Sequence, residues 1–171
     1  EYYNAFDGTY GGLWRRNGRA PQVLSGVGFT SQGDHFGIPY RRTKQSYDPK
    51  VSWIFEGITD EIIGDFGLSG GGAAGFELDR ADINLGTPLN ATIIASSKGH
   101  DDSFVLVPED ILTHHDTWAH MPIEDLIRAD IVYFDTPNGG GVFSVGSITF
   151  CGSLPHNNCD NNISKMIDNV I

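Results

Sequence analysis

Two cysteines in 171 residues are too few to staple a small secreted scaffold, and Cys151 and Cys159 are all there is. That scarcity points to a reducing, cytoplasmic setting. Positive charge is equally scarce. Eleven Lys and Arg stand against 22 Asp and Glu, a formal charge of -11. Phosphate backbones and anionic lipid surfaces are held by Lys and Arg, so neither nucleic acid nor a membrane is expected as a partner. No apolar run approaches the ~20 residues that span a bilayer, and no signal-peptide pattern opens the chain. Internal repeats and low-complexity tracts are missing too. What remains is globular: 39% hydrophobic, 19% charged, with 22 glycines that imply many tight turns. The length predicts one domain over 1–171, loop-rich in 1–50. The chain starts at Glu1 rather than Met and stops inside a helical pattern at Asn169-Val170-Ile171. It is therefore expected to be an excerpt of a longer protein.

Apolar, β-branched runs predict strands over 22–29, 51–55, 75–78, 91–95, 104–107, 129–134 and 142–150. The last two are joined by Pro137-Asn138-Gly139-Gly140-Gly141, a hairpin signal because Asn and Gly accept positive φ. A short helical turn is expected over 122–128. Ile163, Met166, Ile167, Val170 and Ile171 share one face of a terminal helix, with Asp160, Asn161 or Asn162 as its N-cap. Strands followed by a packed helix indicate an α/β fold.

The glycine-rich stretch Gly67 to Arg80 satisfies the G-x-G-x-x-G spacing. A dinucleotide site, however, needs a buried strand before the glycines and a helix after them. Asp65-Phe66-Gly67-Leu68-Ser69 is no buried strand, and Glu77 and Asp79 stand where a diphosphate would lie. No Lys-Ser/Thr pair follows, which excludes a P-loop. The glycines read instead as a close-approach turn that delivers Glu77. Among the carboxylates here (Glu56, Asp60, Glu61, Asp65, Glu77, Asp79, Asp82), most are expected to be surface acids. Glu77, just past the turn, and Glu56, at the end of the 51–55 run, are the candidates for general acid-base work. His100 follows the 91–95 strand, with Asp101 placed to orient its ring. His114-His115-Asp116 and His120 resemble metal-ligand density but lie in a loop pattern, so no metal site is expected there. Neither Cys151 nor Ser144 sits on a nucleophile-elbow turn, and no His-x-Glu follows Cys151. Cys151 is expected to be buried where the last strand ends.

A set of spaced blocks carries a resemblance. It comprises Gly11-Gly12-Leu13-Trp14-Arg15-Arg16, Ile54-Phe55-Glu56-Gly57-Ile58, Gly70 to Gly75 with Glu77-Leu78-Asp79-Arg80, Leu85-Gly86-Thr87-Pro88, Ala95-Ser96-Ser97 with Gly99-His100, and Asp135-Thr136-Pro137-Asn138-Gly139-Gly140. Together they resemble the C-terminal part of the N,N-dimethylformamidase large subunit, over nearly the whole chain. The resemblance implies a class I glutamine-amidotransferase-like (flavodoxin-like) sheet that has lost its Cys-His-Glu chemistry. It further implies hydrolysis of a small amide to amine and formate at a mononuclear iron, bound by tyrosines and a carboxylate upstream of Glu1. Within the matched blocks it leaves Glu77, Glu56 and His100 as candidates for the acid or base. A small subunit and a homo-oligomer of the large subunit are the partners it implies. Two other functions stay open: a non-catalytic domain for ligand binding or subunit assembly, and a sugar-binding module with Trp14 and Trp53 as platforms. The apparent burial of Trp53 in the 51–55 run argues against the last.

Overall fold

The computed structural model describes Gly8 and residues 11–34, 36–68, 70–113 and 123–171. Among the described residues eight strands are β1 (Gly28–Gln32), β2 (Tyr40–Arg42), β3 (Ile62–Ile63), β4 (Glu77–Arg80), β5 (Thr92–Ser96), β6 (Val105–Leu106), β7 (Asp130–Asp135) and β8 (Gly141–Ser144). Short helices are α1 (Gln22–Ser25), α2 (Pro108–Thr113), α3 (Ile123–Leu126) and α4 (Phe150–Ser153), and the longest among the described residues is α5 (Asn162–Val170).

The strands form two sheets. A five-stranded sheet has the order β3-β2-β5-β7-β8, and a three-stranded sheet the order β4-β1-β6. The chain is thus mixed α/β, and every described strand pairing is antiparallel. A flavodoxin-like sheet is parallel, and none of the described pairings has that character. β7 is the spine: Ile131 and Val132 are fully buried, as its apolar run requires, and Asp130 at its start is fully buried with them. It pairs with β8 from Val132↔Ser144 to Asp135↔Gly141. The hairpin loop is closed by Thr136 and Gly140, and Gly139 takes the positive φ (+85°).

One hydrophobic cluster unites Tyr40, Ile63, Ile94 and Ile131 of the large sheet with Leu78 of the small one and Ile163 and Met166 of α5. Polar clasps fix the same join. The fully buried Asp130 carboxylate accepts from Ala81 N at 3.0 Å and from Ser96 Oγ at 2.6 Å. α5 starts where expected, with Asn161 Oδ1 accepting from Ser164 N at 2.8 Å. Near its other end Asn169 Nδ2 donates to Ile54 O and Glu56 O, tying the helix to the turn 52–55.

Several expected elements differ. Residues 22–29 are not one strand. Pro21 has helical φ and starts α1, Gly26 ends it at φ +78°, and only then does β1 begin. The run 51–55 is a 3-10 helix over Ser52–Phe55. Short apolar runs bury equally well in either form, and here Asp48 O accepts from both Val51 N and Ser52 N to start the turn. Trp53 consequently points outward, 38% exposed, and meets Tyr133 edge-on at 5.5 Å. β8 stops at Ser144 and residues 150–153 are helical, which leaves Cys151 exposed rather than buried. The His114 to His120 segment lies outside the described residues.

Candidate functional site

The glycine turn is a close approach of two backbones. A Cβ on Gly72 would stand 2.5 Å from Ile38 C, and one on Gly75 2.8 Å from Gly37 Cα. That contact is locked by paired hydrogen bonds, Ile38 N to Ala74 O (2.8 Å) and Ala74 N to Ile38 O (3.0 Å). Ser147 Oγ then accepts from Gly75 N and donates to Gly75 O. Phe76, an aromatic residue held at φ +59°, completes the turn, and its carbonyl accepts from Gly33 N.

β4 leaves this anchored turn with alternating faces. Leu78 and Arg80 are buried, whereas Glu77 is exposed and Asp79 half-buried on the opposite face. Two carboxylates two residues apart therefore share one side of a strand. Burial, then the charge of Glu77, raise the Asp79 carboxyl from 3.8 to about 6. A carboxyl titrating there suits proton transfer near neutrality. Asp79 is thus not one of the surface acids expected here; its i+2 spacing from Glu77 on a strand is the signal that marks it.

Glu56 and His100 stand elsewhere. Glu56 is the exposed residue that ends the 52–55 turn, where its carbonyl caps Asn169. His100 follows β5 in the next loop. No hydrogen bond among the described residues links Glu56, Glu77 and His100 to one another. Asp101 does not orient His100 by a hydrogen bond: its Oδ1 accepts from Ser103 N and Oγ. The partner is Ser97, whose Oγ lies 2.8 Å from His100 Nε2.

That contact determines the tautomer. Ser97 is fully buried, and its oxygen already accepts from Ala129 N at 2.8 Å. Among the described contacts, His100 Nε2 is the acceptor available for the hydroxyl proton, and a buried hydroxyl left without one is costly. Nε2 is therefore unprotonated and Nδ1 carries the hydrogen, which is buried and has no partner among the described residues. Desolvation, only partly opposed by Asp101, lowers the ring from 6.5 to about 4. At neutral pH His100 is an uncharged donor packed against Phe104 at 4.5 Å.

Behind β4 lies a buried ionic cluster. Arg80 Nη2 donates to Asp82 Oδ2 at 2.9 Å and Asp110 Oδ1 at 3.3 Å, and its Nη1 to Leu126 O at 3.0 Å. Arg15 Nη1 meets the same Asp110 at 2.9 Å. These contacts bind β4, α2 and α3 into one block. Neither Arg15, within what reads as a loop-borne basic cluster, nor Asp82 gives any sequence signal of burial. Among the described residues no group of three His, Cys, Asp or Glu is placed to hold a metal ion. The side chains of the described residues do not fit the iron implied by the resemblance. Nor is any helix among them long and apolar enough to cross a membrane.

A family model described as "N,N-dimethylformamidase beta subunit-like, C-terminal" matches residues 1–161. Two relatives, the N,N-dimethylformamidase beta subunits of Paracoccus aminophilus and of Alcaligenes sp, are each 45% identical to the chain over 173 aligned residues. Each alignment covers all of this chain and 22% of the relative, so the chain spans less than a quarter of the relatives' length.

Proposed function

The chain belongs to the N,N-dimethylformamidase beta subunit-like, C-terminal family, and on that premise we propose that it serves an amidohydrolase. In this reading it supplies the pocket wall and proton-transfer groups for cleaving the C–N bond of small N-substituted formamides, with dimethylformamide going to dimethylamine and formate. The iron centre of the reaction belongs to parts of the subunit outside this chain. The relatives are named as beta subunits, which supports a further subunit as partner.

One observation carries the reading: Glu77 and Asp79 share the solvent side of a strand anchored by a rigid turn, and Asp79 titrates at about 6. Glu77 takes the proton from the attacking water, and Asp79 holds it close by. The proton is then returned to the departing amine as the C–N bond breaks. His100, held by Ser97 through Nε2 in the loop after β5, is a further candidate proton-transfer group. Glu56 is the second candidate acid.

In the complete enzyme, Glu77→Gln is expected to lower kcat by about a hundredfold with an unchanged unfolding temperature. Full turnover in that variant would remove Glu77 from the mechanism. A purely assembly-related role predicts a different outcome, namely intact chemistry with lost subunit association in size-exclusion chromatography.

A further inference from the structure

Only eleven Lys and Arg stand against 22 Asp and Glu in this chain, yet three of them, Arg41, Arg42 and Lys98, line one cavity of about 380 Å³. Among the described residues no Asp or Glu lines it. A cavity walled by one sign of charge draws in the opposite sign.

Strand register tells which of these charges face the cavity. Tyr40 of β2 and Ile63 of β3 are paired and fully buried, so their side chains point into the core. Alternation turns the next pair, Arg41 and Ile62, to the opposite face, where Ser96 of β5 stands beside Arg41. Arg41, Ile62 and Ser96 all line the cavity. Arg41 is exposed and has no hydrogen-bond or ion-pair partner among the described residues. Arg42 is committed elsewhere: its Nε donates to Ser46 Oγ and its Nη1 to Ile58 O, with the guanidinium over the rings of Phe55 and Tyr47 at 3.9 and 4.3 Å. Lys98, two residues past Ser96, spends one N–H on Asp125 Oδ1 at 2.9 Å in an exposed pair and keeps two. Thr43 and Ser96 line the cavity too, but their hydroxyls donate to Ile93 O and Asp130 Oδ1. The side-chain donors left for an occupant are therefore Arg41 and Lys98. Ile38, Pro39 and Ile62 supply apolar lining.

We propose that this cavity binds a short-chain aliphatic carboxylate, its carboxylate held by Arg41 and Lys98 and its alkyl part laid against Ile38, Pro39 and Ile62. An ammonium group would meet two like charges. A neutral apolar molecule would make no use of the cations, and a bare anion would leave the apolar lining in water. A carboxylate with an alkyl chain uses both, in a volume within the range of small-molecule sites. The proposal stands apart from the amide-cleaving role, whose carboxylate product, formate, has no alkyl part.

Isothermal titration calorimetry of the complete enzyme tests it with butyrate, formate and butylammonium as probes. Butyrate should bind at least about tenfold more tightly than either of the others. Arg41→Gln is expected to weaken butyrate binding by about tenfold, and Lys98→Gln by about threefold, with thermal unfolding checked alongside. Lys50→Gln removes an exposed cation that does not line the cavity, and should leave butyrate binding unchanged. The proposal is overturned if butyrate does not bind at about 10 mM, or if formate or butylammonium binds as tightly. It is also overturned if folded Arg41→Gln binds butyrate like the wild type, or if Lys50→Gln weakens binding as much as Arg41→Gln does. The comparison among probes needs no variant, so it decides the matter even where a variant does not fold.

Discussion

Replacing Asp79 by Asn removes one of two opposed pH ramps. The native Asp79 carboxyl holds its proton up to about 6, against 3.8 ordinarily, because of burial and then Glu77. The folded state binds that proton more tightly than the unfolded chain. Its contribution to stability is therefore full below about pH 4 and is lost as the pH rises through 6. The difference corresponds to about 3 kcal/mol, reduced to about 2 kcal/mol because water still reaches the half-buried side chain. His100 has the opposite sign. Desolvation lowers its ring from 6.5 to about 4, so the stability tied to the neutral ring is present above 6.5 and lost as the pH falls through 4. The two ramps are similar in size, share one window and offset each other. In Asp79→Asn the neutral-pH stability should rise by about 2 kcal/mol, and the His100 ramp should emerge as stability climbing between about pH 4 and 6.5. Urea denaturation of wild type and variant at matched pH values isolates Asp79, since every shared group cancels in the difference. The acidic limb of kcat/KM near pH 6 should move in the same variant. A difference in stability that stays constant from about pH 4 to 7 would refute the assignment.

Three further outcomes follow from the packing. Asp110→Ala leaves Arg15 without its ion-pair partner and Arg80 with Asp82 alone, so it should cost about 3–5 kcal/mol by thermal or denaturant unfolding. Gly72→Ala drives a methyl group into the backbone of Gly37 and Ile38. It should cost about 1–3 kcal/mol and, by displacing β4, lower turnover as well. Asn161→Ala loses the cap on Ser164 N and the donor to Leu154 O and His156 O. A loss of about 1–2 kcal/mol is expected in thermal unfolding, and Asn161→Asp should recover the capping part of it.

How much was legible depended on whether a signal was local. The 129–134 run, the Asn138-Gly139 turn and the face of Ile163, Met166, Ile167 and Val170 are periodic patterns with their own turn or cap chemistry, and each corresponds to a described element. The run 51–55 misled because five apolar residues fill a core equally well extended or coiled. What decided the matter was Asp48 O, three residues upstream of Val51 and available to start a turn. Glu77 was legible as the residue after a glycine turn. Asp79 as its companion required knowing that β4 is a strand with one open face. The orienting partner of His100 followed no neighbour rule: Asp101 is adjacent in sequence, but Ser97 is nearer in hydrogen-bonding terms because Ala129 N fixes its hydroxyl.

By itself the sequence determined the mixed α/β character, the terminal hairpin and helix and, through its spaced blocks, the family. These rest on patterns within a few residues of one another or on the identity of the residues themselves. Tertiary structure alone decided that all described strand pairings are antiparallel, that Arg15 and Arg80 share a buried anion, and that Arg41, Ile62 and Lys98 line one cavity. Residues 15, 80 and 110 are far apart along the chain, and nothing local marks an arginine for burial. Only the closing of β4, α2 and α3 around one carboxylate makes that burial tolerable.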